Sequence, residues 1–299
     1  MITDRTMKSG GTAAAGTDPA TPPARKAAAV VRKPLRMALP GVLIAVGLTS
    51  VFGAWLAPQD PDAQNPGLGV TPPSADHLLG TDVLGRDVLS RVIAGTLPAV
   101  AGPLAVAVSV LVIGGLLGLA AGYHGGRIDG LISRGADVLY SMPALLVAIV
   151  VIGTVSGSYP VTIGVLTVLT MPGTIRMVRS SALAQAQLPY IDAARALGVR
   201  PAVILVRHLL PNVLPTIVAT FLLEFVTALV SFSALSFLGL GVAPGAADWG
   251  TMLADGQELI FENPFMSLAP ALLIMITAGS ATLVGDRIHD RATVGTEKR

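Results

Sequence analysis

Few side chains in this 299-residue chain are placed to do chemistry. Glu224 is one of them, an acid deep in an apolar run. A charge at such a depth costs roughly 2.5 to 3.5 kcal/mol to insert unless it is paired or neutralised. It reads either as a pathway- or substrate-facing group or as a structural hydrogen-bond partner for a neighbouring helix. The second candidate is the run from Tyr190 through Asp192, Ala193 and Ala194 to Gly198, continuing to Leu210 and Pro211. Asp192 falls near the start of a short helix, where negative charge is favoured, and the two alanines leave the surface flat. Gly198 is placed to end that helix. A second short helix is expected over 201–208, broken by Leu210-Pro211. A flat helix before a glycine hinge can slot into a groove on another protein; it can also be an ordinary loop helix.

Patterns that mark catalysts do not occur. There is no Gly-x-x-x-x-Gly-Lys-Ser/Thr phosphate cradle and no Gly-x-Ser-x-Gly elbow. The absence of cysteine excludes disulfides, thiolate metal sites and cysteine nucleophiles. His77, His124, His208 and His289 are scattered over loops and tails. No catalytic, cofactor or metal site is therefore expected in this chain.

The elements that must hold these residues are built for lipid. Hydrophobic residues make up 52% and charged ones 13%, against about 25% charged in soluble domains. Six apolar runs, at about 37–56, 97–123, 138–155, 161–178, 213–238 and 264–284, approach the roughly 20 helical residues that cross a bilayer. The expected class is an all-α polytopic membrane protein with six transmembrane helices. Residues 1–36 read as a disordered tail, 37–290 as the membrane domain and 291–299 as a second tail. Between the first two spans, Thr81-Asp82 is expected to cap a surface helix over 83–93. Gly114, Gly118 and Gly122 form a ridge that lets a neighbouring helix approach. Pro143 and Pro172 are expected to kink the third and fourth spans.

Six crossings put both termini on one side of the membrane. Of the twenty Lys and Arg, all but Arg86 and Arg91 fall in the tails, the loop after the second span and the stretch 176–212. Basic residues gather on the cytoplasmic side, so both termini and the 180–212 loop are expected there. The positive balance needs no nucleic-acid partner; the surface charge of the bilayer suffices.

Asp192-Ala193-Ala194-x3-Gly198 followed by Leu210-Pro211 resembles the EAA loop of permease subunits of bacterial ATP-binding-cassette importers, with Asp192 in place of glutamate. Arg207-His208-Leu209-Leu210-Pro211-Asn212 is similar to the peptide and nickel subfamily. So are His77-Leu78-Leu79-Gly80-Thr81-Asp82, Gly122-Tyr123-His124-Gly125-Gly126-Arg127, Leu235-Ser236-Phe237-Leu238-Gly239 and Trp249-Gly250-x-Met252. The chain departs at Phe232, where that family often has an acid. The resemblance implies a C-type permease with the type I importer fold in the cytoplasmic membrane. It further implies a sibling permease forming a heterodimer, ATPase subunits that carry ATP and Mg, and an extracytoplasmic substrate-binding protein. By the same resemblance Tyr190, Asp192, Ala193, Ala194, Gly198, Leu210 and Pro211 would couple to the ATPase. Trp249 and Gly250 would face the binding protein. Di- or oligopeptides are the expected cargo, with nickel chelates or glutathione as alternatives. A self-contained secondary transporter is the alternative from another class; such proteins often show internal repeats, and none is visible here.

Overall fold

The computed structural model describes the backbone of residues 24–155, 157–243 and 245–296, with side chains described from 39 to 288. The tail expected at 1–36 lies outside the described residues as far as residue 23, and so do residues 297–299 of the second tail. The chain divides after Ala38 into two units. In the first, the backbone is already helical from Ala24, inside the expected tail.

In the second unit, apolar runs of membrane length become helices, as unsatisfied backbone groups in hydrocarbon require. Helix α1 (Ala24–Leu56) contributes the span Leu39–Leu56. Then come α2 (Val88–Ala94), α3 (Thr96–His124), α4 (Gly126–Tyr140), α5 (Ala144–Thr154) and α6 (Tyr159–Ala186). Next are α7 (Pro189–Ala196), the short α8 (Pro201–Val203), a π-helical turn Ile204–Leu209, α9 (Leu210–Phe237), α10 (Trp249–Gly256) and α11 (Phe265–Thr296). Five segments are long and apolar enough to cross a membrane, or six if the bent pair α4 and α5 counts as one crossing.

Helices α3, α6, α9 and α11 form the packed centre. The glycine ridge faces α6, as its spacing predicts. A Cβ on Gly118 would lie 2.8 Å from the Ile175 carbonyl oxygen, and one on Gly122 2.7 Å from Ala182 Cβ. Near one end, Val106 and Val110 of α3 meet Ile152 of α5, Leu166 of α6 and Phe232 of α9. Phe232 is core. Near the other end, Leu119, Val178, Ala182, Leu209 and Val213 close a second cluster.

Three local expectations are corrected. Helix α2 starts five residues later than a helix from Val83 would, because Asp87 is its N-cap: the carboxylate accepts from Ser90 N at 2.8 Å. Asp82 instead accepts from the Leu84 and Arg86 amides, in a turn where Gly85 takes φ +68°. Next, the loop expected after the second span is helical from Gly126, and the third span is broken. Pro143 sits at the N-cap of α5, and α4 and α5 meet at 80°. Finally, Leu210-Pro211 does not break the chain. Pro201–Phe237 runs on as one span, and the Leu210 amide donates to the Leu205 carbonyl, five residues back. A regular α-turn would press the Pro211 ring against the carbonyl of residue 207; the wider π-turn sits just before it.

Candidate functional site

At one end of the bundle, α7 is held beneath α6 and α9 by its own sequence. Ile191 and Ala194 are its inward face, packing on Ile204 of the π-turn with Tyr123 and Val199 at the edge. The Tyr190 hydroxyl donates to Gln185 Oε1 and accepts from Asn212 Nδ2, each at 3.2 Å, joining the last turn of α6 to the start of α9. Asn212 Nδ2 also donates to the His208 carbonyl at 2.7 Å. The C-terminus of α7 is a Schellman motif, with Gly198 N donating to Arg195 O and Val199 N to Ala194 O. Gly198 takes φ +73°, a conformation that costs other residues roughly 1 to 2 kcal/mol.

The flat double-alanine face expected from the sequence is not one face. Ala194 is buried and Ala193 exposed. What α7 presents outward is Tyr190, Asp192, Ala193 and Arg195, with Leu197, 82% exposed, at its tip. Asp192 pairs with Arg195 at 3.2 Å rather than with a second element. Leu210 is half-buried and Pro211 exposed. Leu197 is not singled out by motif spacing; its signal is a large apolar residue directly before a left-handed glycine at a helix end.

Helix α4 is tied to α6 at this end by two ion pairs. Arg179 binds both oxygens of Asp129, with Nη2 to Oδ2 at 2.6 Å, and Arg176 Nη2 lies 2.7 Å from Asp137 Oδ1. Glu224, half-buried in α9, accepts from Thr174 Oγ1 of α6 at 2.9 Å.

The opposite end is closed by α10 and the loop before α2. Trp249 is fully buried and its Nε1 donates to the Val92 carbonyl at 3.1 Å. A Cβ on Gly250 would lie 2.5 Å from the Ser233 carbonyl oxygen. Both residues are internal packing, so the expectation that they form an outward contact for a binding protein is corrected. Asp248 caps α10 by accepting from Gly250 N and Thr251 N, and burial pushes its carboxyl above the ordinary aspartate range. Arg86 and Arg91, the two basic residues outside the main topological set, are both buried. Arg86 is paired with Asp82 at 2.6 Å, and both guanidiniums donate to the Gly245 carbonyl. Among the described residues no three potential metal ligands cluster.

An apolar bundle of five or six candidate spans, with one short helix facing outward at its end, is the architecture of a polytopic membrane protein. A family model described as "Binding-protein-dependent transport system inner membrane component" matches residues 114–294, and the chain belongs to that family. A putative peptide transport system permease protein of Brucella suis biovar 1 is 35% identical over 259 residues, covering 87% of each chain. The glutathione transport system permease protein GsiD of Pectobacterium atrosepticum is 35% identical over 73% of this chain and 72% of its own. The probable D,D-dipeptide transport system permease protein DdpC of Escherichia coli K12 is 32% identical over 86% of each. In fold, the chain matches a structure titled as an inward-facing conformation of the MetNI methionine ABC transporter. The TM-score is 0.55 at 22% identity, over 67% of this chain and 95% of that one. The fold is thus that of a type I importer permease. The protein is a multi-pass inner-membrane transport component, and membership implies ATPase and substrate-binding partners.

Proposed function

We propose that the chain is one permease of a di- or oligopeptide importer. It pairs with a sibling permease as a heterodimer and works with two ABC ATPase subunits or domains that hold ATP and Mg. An extracytoplasmic peptide-binding protein delivers the cargo. The cargo class is supported by the peptide and dipeptide permeases among the relatives. Glutathione, itself a small peptide, is the second reading, supported by the GsiD relative. Both termini and the α7 end lie in the cytoplasm, in keeping with the eighteen basic residues gathered there.

The observation that carries the coupling role is the mounting of α7. Its inner face is packed on the π-turn, and Tyr190 bonds both to Gln185, in the last turn of α6, and to Asn212, at the start of α9. An ATPase groove that grips the outer face through Tyr190, Asp192, Ala193 and Leu197 therefore pulls on two membrane helices at once. Nucleotide binding shifts the bundle only insofar as the closed ATPases favour one arrangement of these helices. The test is reconstitution of the assembled complex in vesicles. Peptide-dependent ATP hydrolysis and peptide uptake are expected; hydrolysis stimulated only by a non-peptide solute would refute the cargo. Ala193→Trp is expected to uncouple hydrolysis from uptake, whereas Ala194→Trp disrupts the seat of α7 on Ile204.

A further inference from the structure

The 80° break between α4 and α5 leaves a hollow. Around the turn at Pro143, residues 139–144 stand off from Leu169, Thr170 and Gly173 of α6 and Glu224 of α9, leaving a cavity of about 410 Å³. That lies within the roughly 300 to 1,000 Å³ of small-molecule sites. Leu139, Tyr140, Met142 and Leu169 make its walls mostly apolar, and Thr170, Gly173 and Glu224 supply its floor. Gly173 lies beside the acid: a Cβ on it would sit 3.6 Å from Glu224 Oε1, in ordinary contact.

The polar groups of this floor are unfinished. Glu224 Oε1 receives the Thr174 hydroxyl at 2.9 Å, but Oε2 is buried without a hydrogen-bond partner. Thr170 Oγ1, one turn before Thr174, is also buried; it lies beside the same carboxylate but outside hydrogen-bond geometry. No described cation forms an ion pair with Glu224. The nearby basic residue on α6, Arg176, is already engaged with Asp137, and its guanidinium lies 4.3 Å from the centre of the Tyr140 ring. A carboxylate at membrane depth with an open oxygen calls for a cation, and charge-assisted hydrogen bonds to carboxylates are the strong ones.

We propose that Glu224 receives the α-ammonium group of the peptide in transit, with the Thr170 hydroxyl beside it as a further acceptor. The proposal rests on the peptide-importer reading above. The α-ammonium is the one cation that every unblocked peptide carries whatever its side chains. A single acid facing it therefore serves a whole substrate class, while adaptable Met142 and the leucines accept varied side chains.

The test uses the full complex in vesicles, with the peptide-binding protein saturated either by dialanine or by its desamino counterpart, N-propionyl-alanine. The wild type is expected to import dialanine at least about ten-fold faster than the desamino compound. Glu224→Gln should slow dialanine about ten-fold and leave the desamino rate, complex assembly and peptide-free ATP hydrolysis unchanged. Glu224→Asp should restore part of the dialanine rate. Wild-type dialanine uptake by Glu224→Gln would overturn the proposal, as would equal slowing of both compounds. Weakened assembly of Glu224→Gln would overturn it too, by assigning the carboxylate to a contact with the sibling permease. A wild-type complex that imports neither compound overturns the peptide assignment itself, and this site with it.

Discussion

Leu197 gives the sharpest test of the coupling surface. It is 82% exposed at the tip of α7, directly before Gly198 with its φ of +73°. Nothing in the isolated subunit uses its side chain, so Leu197→Ala should change the stability of the permease by no more than about 0.5 kcal/mol. If an ATPase groove buries the side chain, truncation removes three carbons from that interface. At about 0.8 kcal/mol per buried carbon group this is about 2.4 kcal/mol, and about 2 kcal/mol after allowing for the part already covered. That corresponds to about a thirty-fold loss of affinity. The assay is titration of the ATPase subunits onto the permease pair in nanodiscs, with Leu116→Ala on α3 as a laterally exposed control. Leu116 is 64% exposed on the side of the α3 span, about two turns inside its C-terminus and away from the outer face of α7, so its truncation should leave ATPase affinity unchanged. ATPase affinity for Leu197→Ala within two-fold of wild type, in a complex of normal stability, would refute the assignment of α7 as the docking helix.

Further outcomes follow from packing and charge. Gly118→Ala should destabilise the subunit by about 1 to 3 kcal/mol, because its Cβ meets α6 backbone. Gly115→Ala on the same helix meets nothing within 4 Å and should be neutral; thermal unfolding in detergent separates the two. Asp248→Ala should cost about 0.5 to 2 kcal/mol through loss of the α10 cap, and Asp248→Asn much less. Because burial raises the Asp248 carboxyl, the folded state holds its proton more tightly than the unfolded chain. The stability of wild type relative to Asp248→Asn should therefore fall as pH rises from the ordinary aspartate range through the raised value, then level off. Melting temperatures of both proteins between about pH 4 and 8 check the sign. Arg179→Lys should behave more like Arg179→Ala than like wild type, since Asp129 is held through two guanidinium nitrogens. A double-mutant cycle with Asp129→Ala measures that pair directly.

Which features could be read from the amino-acid sequence depends on the distance over which each is decided. The glycine ridge on α3 was readable because a helix of fixed period puts every fourth residue on one line, and α6 lies along it. The C-terminus of α7 was readable for the same reason: Gly198 acts on carbonyls three and four residues back in its own helix. The start of α2 was not. Asp82 and Asp87 both carry cap-type side chains, and the choice between them is made by the left-handed turn at Gly85, which commits Asp82 to the Leu84 and Arg86 amides. Residues 126–137 pass for a loop because their charges are counted as solvated. Asp129 and Asp137 are instead paired with Arg179 and Arg176 on a helix that follows two elements later.

The same distinction separates the two ends of the molecule as candidate sites. Trp249 in a polar segment invites a partner, yet its ring is filled in by this chain and its Nε1 is bonded to a carbonyl 157 residues away. No local pattern announces such a contact. Leu197 is the converse, an apolar side chain that this chain leaves open, placed by a backbone constraint local enough to be written in Leu-Gly. Glu224 stands between them. Its cost in lipid is visible in the sequence, whereas its open oxygen and the cavity beside it depend on how residues 139–144, α6 and α9 pack around it. A buried acid that its own chain half-satisfies is held ready for something that arrives, and in a transport subunit that is first of all the cargo.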